Sequence, residues 1–314
     1  MAEHLTLPTI PADANKFSRG SLLVLAGSRR YSGAGILATL AAERTGAGYV
    51  SLAAPTSAAR VARQHLICSP VIEAPEDDEQ GSFTETALPA VLEELRHVDA
   101  ICAGPGLTVN ERTEAFLKEV LLYASREHIP LLMDADALGI LAAETELMLE
   151  RQQLVQAFLK REQPMPNPLV LTPHEGELAR LQAAFFRGIN LKAGELNQPA
   201  LLKVSLGEAA QALSEIIGVT VVAKGPTTYI AGEDELAECN EATPALAKAG
   251  TGDVLAGIIS SLLAQGITAF DAALLGVRIH SLAGVLAEQK QGRRSVTALD
   301  VIEALPQAVL QFES

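Results

Sequence analysis

The chain has 314 residues, 48% of them hydrophobic and 4% aromatic with no tryptophan, and a formal charge of −14. That is ample for a large core of Leu, Ala, Val and Ile, and an α/β fold of this length is often one domain. The acidic balance excludes general nucleic-acid binding but not a small anionic ligand held by local amides and a lysine.

Residues 1–19 read as a short leader with turn residues Pro8, Pro11, Asp13 and Asn15 and no apolar signal-peptide core. Residues 21–26 have the length and apolar continuity of a buried strand. The loop that follows holds Gly27, Arg29, Arg30 and Gly33, and a helix rich in Ala and Leu spans 34–45. Strand, Gly-containing loop and helix open an α/β unit, and open parallel sheets bind ligands at the carboxyl ends of their strands. The two arginines favour an anionic ligand. A strand over 48–53, a helix over 56–64 and a short strand over 69–73 come next. The acidic run 76–79 reads as a solvated loop with no chemical role. A helix over 84–95 precedes a strand over 99–103, which ends in Gly104-Pro105-Gly106.

A helix over 111–125 leads to a strand over 129–134, with Asp134 at its carboxyl end and Asp136 placed to cap the next helix. After a connection with Pro164, Pro166 and Pro168, a strand over 169–172 ends in Pro173-His174-Glu175-Gly176-Glu177. His174 stands just past a strand end between acids, where a ligand role and a structural one are both open. The pattern over 185–206 is irregular and suits an inserted loop, a lid or an oligomer contact. A helix over 207–217 and a strand over 219–223 end in Lys224-Gly225-Pro226-Thr227-Thr228, a loop suited to a nucleotide phosphate or ribose. A β-hairpin over 229–231 and 236–238 follows. Helices span 270–289 and 298–312. The longest uncharged stretch, 254–270, is too short and broken for a membrane span. Cys68, Cys102 and Cys239 show neither metal nor disulfide spacing, which points to a reducing, cytoplasmic compartment.

Gly250-Thr251-Gly252-Asp253, running into the apolar stretch 254–263, carries the chemistry. Glycines let the chain turn several amides toward one point, and the following helix adds unpaired N–H groups and the positive end of its dipole. The result is an anion site with a carboxylate at its mouth. Asp253 suits a base that takes a proton from a hydroxyl while the amides hold the phosphoryl group under attack. Capping by Thr251 or Asp253 is the competing explanation.

The loops 27–35, 104–107, 134–136, 172–177 and 224–228 then lie along one edge of a mostly parallel sheet. Six stretches carry a resemblance: GSRRYSGAGILATLAAERTGAGYVSLAAP from Gly27, AGPGL from Ala103, LLMDADAL from Leu131, LVLTPHEGELARL from Leu169, VVAKGPTTYIA from Val221 and AGTGDVLAGIISSLLAQG from Ala249. Together they resemble the ADP- or ATP-dependent NAD(P)H-hydrate dehydratases. The resemblance implies a ribokinase-like three-layer α/β/α sandwich, with 1–314 as one domain. It implies repair of the S epimer of NADHX or NADPHX to NADH or NADPH, by phosphorylation of the ring hydroxyl and elimination of phosphate. Asp253 would be the base, and Gly250, Thr251 and Gly252 the anion site. Ala34, Gly106, His174 and Asp253 would line the substrate. Lys224, Gly225, Pro226, Thr227, Thr228 and Gly252 would hold ADP or ATP. Magnesium is implied on the nucleotide, positioned through water by Asp134 and Glu177, with no direct protein ligands assigned.

The resemblance also implies a homo-oligomer, perhaps a tetramer. Many such proteins carry an upstream epimerase domain for which this chain has no room, so the epimerase is expected to be separate. The stretch 241–253 departs from the usual NPGMATGGTGD pattern, with Lys248 at a Thr position and Ala249 at a Gly position. Two other functions share the anion site. A ribokinase-fold kinase of a small alcohol or vitamin precursor would not need the 172–177 turn together with the 27–35 loop. A non-catalytic nucleotide-binding regulator would not need an intact Asp253.

Overall fold

The computed structural model describes residues 5–143, 169–193, 205–232 and 234–313. Its strands are β1 (Ser21–Leu25), β2 (Tyr49–Pro55), β3 (Val71–Ala74), β4 (Ala100–Ala103), β5 (Leu131–Met133), β6 (Leu169–Leu171), β7 (Thr220–Ala223), β8 (Thr228–Ala231) and β9 (Leu236–Cys239). They form one sheet in the order β3-β2-β1-β4-β5-β6-β7-β8-β9. Neighbours from β3 through β7 are parallel, and β8 and β9 close the edge antiparallel. The expected hairpin is therefore β8–β9. The central strands are apolar throughout because both faces are covered. Along β1, Leu22 and Val24 enter one core while Leu23 and Leu25 enter the other, the period of two of an extended chain.

The helices are α1 (Ser32–Thr45), α2 (Thr56–Ala62), α3 (Leu88–Leu95), α4 (Glu111–Glu127), α5 (Asp136–Ala142), α6 (Glu175–Ala193), α7 (Leu206–Ile217), α8 (Thr251–Ala264), α9 (Ala269–Gln291) and α10 (Ala298–Val309). The first core lies under α1, α2, α8, α9 and α10, and the second under α3 to α7. This is the three-layer sandwich expected from the alternating pattern. The strand order reverses between β1 and β4, the switch point beside which open α/β sheets form a crevice at the carboxyl ends of their strands. At the opposite end of the strands, the Leu7 amide donates to the Phe312 carbonyl at 2.8 Å and the Leu7 side chain is buried. Residues 5–8 of the leader are thus tied to the carboxyl terminus.

Three local expectations change. The helix α6 continues to Ala193, so the first part of the 185–206 stretch is helical. Leu178, Leu181 and Phe185 are buried at helical spacing, and this packing outweighs the weak helix propensity of Gly188 and Asn190. Residues 194–204 and the proline-rich connection before 169 lie outside the described residues. The acidic run is not a bystander. Glu76 accepts hydrogen bonds from the Ser57 amide and hydroxyl at 2.7 Å and pairs with Arg29. Asp77 is buried and accepts from the amides of Glu79, Gln80 and Ser82. Burial pushes its carboxyl up, but these bonds and the Ser82 hydroxyl outweigh that and hold it at about 2. Arg29 also donates to the carbonyls of Asp78 and Glu79. It is occupied in clamping this loop, not open to an anionic ligand.

Helix α8 is buried at every position from Val254 to Ala264, as a helix apolar all round must be. It lies so close to α1 that a Cβ on Gly257 would stand 2.1 Å from the Ala38 carbonyl oxygen. Gly257→Leu should therefore overpack this contact and cost about 1–3 kcal/mol. Urea unfolding should show a lower midpoint with an unchanged slope. An unmoved midpoint would mean that α1 and α8 can separate freely.

Candidate active site

The parallel strands bring the carboxyl ends of β1, β4, β5, β6 and β7 to one edge, and α8 begins beside them. Gly250 is the N-cap of α8, at φ 92° and ψ −19°, and no side chain caps the helix. The capping explanation for Thr251 and Asp253 is therefore wrong. A glycine is required at 250 by the left-handed backbone, and a Cβ there would also lie 2.8 Å from Leu37. The Thr251 hydroxyl turns away from the crevice and donates to the carbonyls of Leu246 and Lys248 at 2.7 and 2.8 Å. Its amide is bent back to the Lys248 carbonyl at 3.4 Å. The N–H groups of Gly252 and Asp253 find no acceptor among the described residues. The Gly250 N–H is likewise without an acceptor among the described residues, so of the expected 250–252 set only the Thr251 amide is engaged, and the Asp253 amide adds a further donor.

An ion pair between the half-buried Lys224 and the buried Asp134 lies against this turn. Lys224 Nζ donates to Asp134 Oδ1 at 2.6 Å, and the same oxygen accepts from the Thr172 hydroxyl at 2.7 Å. Three adjacent strand ends, those of β5, β6 and β7, meet in these contacts. A Cβ on Gly252 would stand 3.7 Å from Lys224 Nζ and 3.9 Å from Asp134 Oδ2, so the helix end faces the pair directly. Burial opposes the charge on Lys224, but the Asp134 carboxylate outweighs it, with help from Glu177 and Asp253, and raises the ammonium pKa. Asp253 is half-buried. Burial raises its carboxyl to about 7; the Asp134 charge adds to this, Lys224 opposes it and Asp136 contributes a little more. A carboxylate at about 7 beside free amides and a cation is a base poised for use near neutral pH.

The other expected residues take these positions. Ala34 and Gly106 lie against each other: a Cβ on Gly106 would stand 3.1 Å from the Ala34 Cβ and 2.6 Å from that of Tyr31. The loops that carry them are tied by the Gly27 amide to the Pro105 carbonyl at 2.8 Å and by Thr108 to Ser28 at 2.8 Å. Asp136 does not cap α5. Its carboxylate accepts from the Thr108 amide at 3.0 Å and fixes the 104–108 turn, because Thr108 sits at φ 67° and its N–H points there. His174 is exposed, and its Nδ1 accepts from the Gly176 amide at 3.0 Å, capping the start of α6. Glu177 accepts from the His174 amide at 2.9 Å and lies 3.4 Å from its Nε2. Glu177 thus braces the start of α6 through its Oε2, with its Oε1 lying close to the His174 ring. Lys224 and His174 are bridged as parallel neighbours, so the 172–177 and 224–228 loops lie side by side. In the latter, Thr228 begins β8 and donates to the Gly225 carbonyl at 3.4 Å. Among the described residues no cluster of three His, Cys, Asp or Glu side chains could hold a metal. Thr172 escaped the sequence reading; its one signal was a hydroxyl closing an apolar strand.

Comparisons with known proteins show the family and the fold. A family model described as NAD(P)H-hydrate dehydratase matches residues 22–307. The chain is 32% identical over 308 residues to a bifunctional NAD(P)H-hydrate repair enzyme of Moorella thermoacetica, covering 98% of this chain and 52% of that protein. It thus spans about half the length of the curated relatives it matches. An ADP/ATP-dependent NAD(P)H-hydrate dehydratase of Bacillus subtilis, co-crystallised with ATP and Mg2+, superposes with a TM-score of 0.70 at 26% identity, covering 98% of this chain and 95% of that one. A ribokinase-like superfamily protein of Enterococcus faecalis, at TM-score 0.73 and 22% identity over 98% of this chain and 93% of its own, shares the fold.

The raised Asp253 pKa has a consequence for stability. The unfolded chain ionises this carboxyl near the ordinary 3.8 and the folded chain near 7. Its contribution therefore falls as pH rises between those values and stays low above them. Asp253→Asn removes that penalty. In thermal melts the variant should gain most over the parent above pH 7, with the gap closing toward pH 4. A gap that widens on acidification would contradict the assignment.

Proposed function

The chain belongs to the NAD(P)H-hydrate dehydratase family, and we propose that it catalyses the ADP- or ATP-dependent dehydration of the S epimer of NADHX or NADPHX. The observation that carries the reading is Asp253, a carboxyl raised to about 7, beside two unpaired amides and the Lys224 cation. Asp253 takes the proton of the ring hydroxyl as the hydroxyl oxygen attacks the terminal phosphoryl group of the nucleotide, and the bond from that phosphorus to the bridging oxygen breaks to release AMP from ADP or ADP from ATP. The Gly252 and Asp253 amides stabilise the charge on the transferring group. The phosphorylated oxygen then leaves as phosphate, driven by the ring nitrogen lone pair, and loss of a proton from the neighbouring ring carbon restores the double bond.

The loops suit the two ligands. Ala34, Gly106 and the exposed edge of His174 line the side for the hydrated dinucleotide. Lys224, Gly225, Pro226, Thr227 and Thr228 line the side for the adenine nucleotide. An ammonium carries three donors, and Asp134 occupies one of those on Lys224, which leaves the rest for a phosphate. Magnesium fits as an ion carried by the nucleotide. The Oδ2 of Asp134 takes no hydrogen bond among the described residues and could meet one of its waters. The free thiols of Cys68, Cys102 and Cys239 suit a cytoplasmic setting. Exposed Val61 and Ile67 near the edge strand β3 support a homo-oligomer, and an epimerase would act in the same pathway.

Purified protein, NADHX and magnesium, with ADP or ATP in parallel, should restore the dihydronicotinamide absorbance. The rate should rise with pH up to about 7, as Asp253 loses its proton, and then level. Asp253→Asn should fold and bind nucleotide yet turn over about 10²- to 10⁴-fold more slowly, the range for loss of a general base. Normal turnover in that variant would remove Asp253 from the mechanism. A stable phosphorylated product would indicate a kinase instead.

A further inference from the structure

Tyr31 stands on the 27–35 loop, and the mechanism above does not use it. Two aromatic rings are exposed among the described residues, those of Phe17 and Tyr31. Phe17 precedes β1 at the amino end of the strands and packs on Tyr49, with ring centroids 5.7 Å apart. The Tyr31 ring is 44% exposed, and the group over it is the Arg30 guanidinium, 5.3 Å from its centroid. The backbone beneath this ring is fixed. The Tyr31 amide donates to the Ser28 carbonyl at 3.1 Å, and the Tyr31 carbonyl accepts from the Ala34 amide at 3.2 Å. Its Cβ rests on the turn after β4, where a Cβ on Gly106 would stand 2.6 Å away. An exposed tyrosine on rigid backbone offers a large flat contact at low cost in side-chain entropy.

The two arginines of this loop differ. Arg29 is held by Glu76 and the carbonyls of Asp78 and Glu79. Arg30 is exposed, and among the described residues its contact is with the Tyr31 ring and not with a carboxylate. The chain carries a net charge of −14, so an anionic ligand needs a local cation to approach it. A guanidinium meets a phosphate through two parallel N–H groups.

Position in the sheet decides which ligand these residues reach. Strand β1, which leads into their loop, stands two strands from β5 in the order β1-β4-β5. Neighbouring strands lie about 4.8 Å apart, which separates the two strand ends by roughly 10 Å. Asp134, at the end of β5, marks the anion site. A small alcohol held there ends short of Tyr31, whereas a dinucleotide spans the distance. We propose that Arg30 and Tyr31 determine specificity for a dinucleotide by binding its non-reacting half, Arg30 pairing with the pyrophosphate and the Tyr31 ring stacking on the far base. This assignment rests on the reading of the substrate as NADHX or NADPHX. Contacts made so far from the reacting ring are equal in the ground and transition states, so they set KM and leave kcat alone.

The test compares Tyr31→Phe, which keeps the ring, Tyr31→Ala, which removes it, and Arg30→Gln, which removes the charge. NADHX dehydration reads kcat and KM, calorimetry with ADP and magnesium reads the nucleotide side, and NADH fluorescence reads dinucleotide binding without turnover. In Tyr31→Ala the KM for NADHX and the Kd for NADH should each rise at least tenfold, the scale of a lost base–aromatic stack. Its kcat and ADP affinity should stay within twofold of the parent. Tyr31→Phe should match the parent in KM within twofold. Arg30→Gln should raise KM and Kd at least threefold and weaken the salt dependence of kcat/KM. Values of KM and Kd within twofold of the parent in Tyr31→Ala or in Arg30→Gln overturn the assignment. So does a fall in kcat or ADP affinity as large as the change in KM, which a merely structural role predicts. If Tyr31→Ala does not fold, Tyr31→Phe and the exposed Arg30→Gln decide by the same criteria. A parent that binds NADH but never dehydrates NADHX defeats the dehydratase reading instead, and NADH affinity across the four forms still decides the role of Arg30 and Tyr31. A parent that binds no NADH overturns the assignment.

Discussion

The ion pair between Lys224 and Asp134 is the contact on which the site depends. It joins the ends of β5 and β7, with Thr172 of the intervening strand end sharing the same carboxylate oxygen. Removing one partner of a buried pair typically costs about 3–5 kcal/mol, because the other charge is left uncompensated. Here the pair also sets the electrostatics of the crevice. Asp134 pushes the Asp253 carboxyl up and Lys224 pulls it down, while burial supplies the largest share of the rise. The cation thus restrains the rise of the Asp253 carboxyl.

This arrangement needs a rigid frame, and the sheet and α8 provide it. Parallel strands from β3 to β7 place their carboxyl ends at one edge. Helix α8 is buried along nearly its whole length and locked against α1 by the close approach at Gly257. The amides of Gly252 and Asp253 therefore stand in fixed positions rather than on a free loop. Fixed donors stabilise developing charge without reorganising, which is where much of the catalytic gain of such sites lies. The cost is visible in the same place: a half-buried carboxyl that the folded chain ionises reluctantly.

Much of this was legible in the residues. Continuous apolar strands alternating with helical stretches specify a parallel sheet, and the glycines at 104, 106 and 250 mark turns with left-handed backbone. Asp253 stood out because a carboxylate beside an anion site has a chemical use. Other features were not legible. Arg29 looked like a ligand contact, yet it is occupied by Glu76 and two carbonyls some fifty residues away. Asp136 had the position of a cap and instead holds a turn from another strand. Stretch 185–193 looked irregular because its weak helix formers are plain in the sequence, whereas the packing of Phe185 and its helical neighbours is not.

By itself the sequence determined the order and kind of most elements, because strand and helix periodicities and glycine turns are local properties of the chain, and its motifs carried the resemblance to the family. Only the tertiary structure decided that Lys224 pairs with Asp134, that the Thr251 amide is engaged while those of Gly252 and Asp253 are not, and that the Asp253 carboxyl is raised. Each of these depends on distances between residues far apart in the chain, and on burial, which no local pattern encodes.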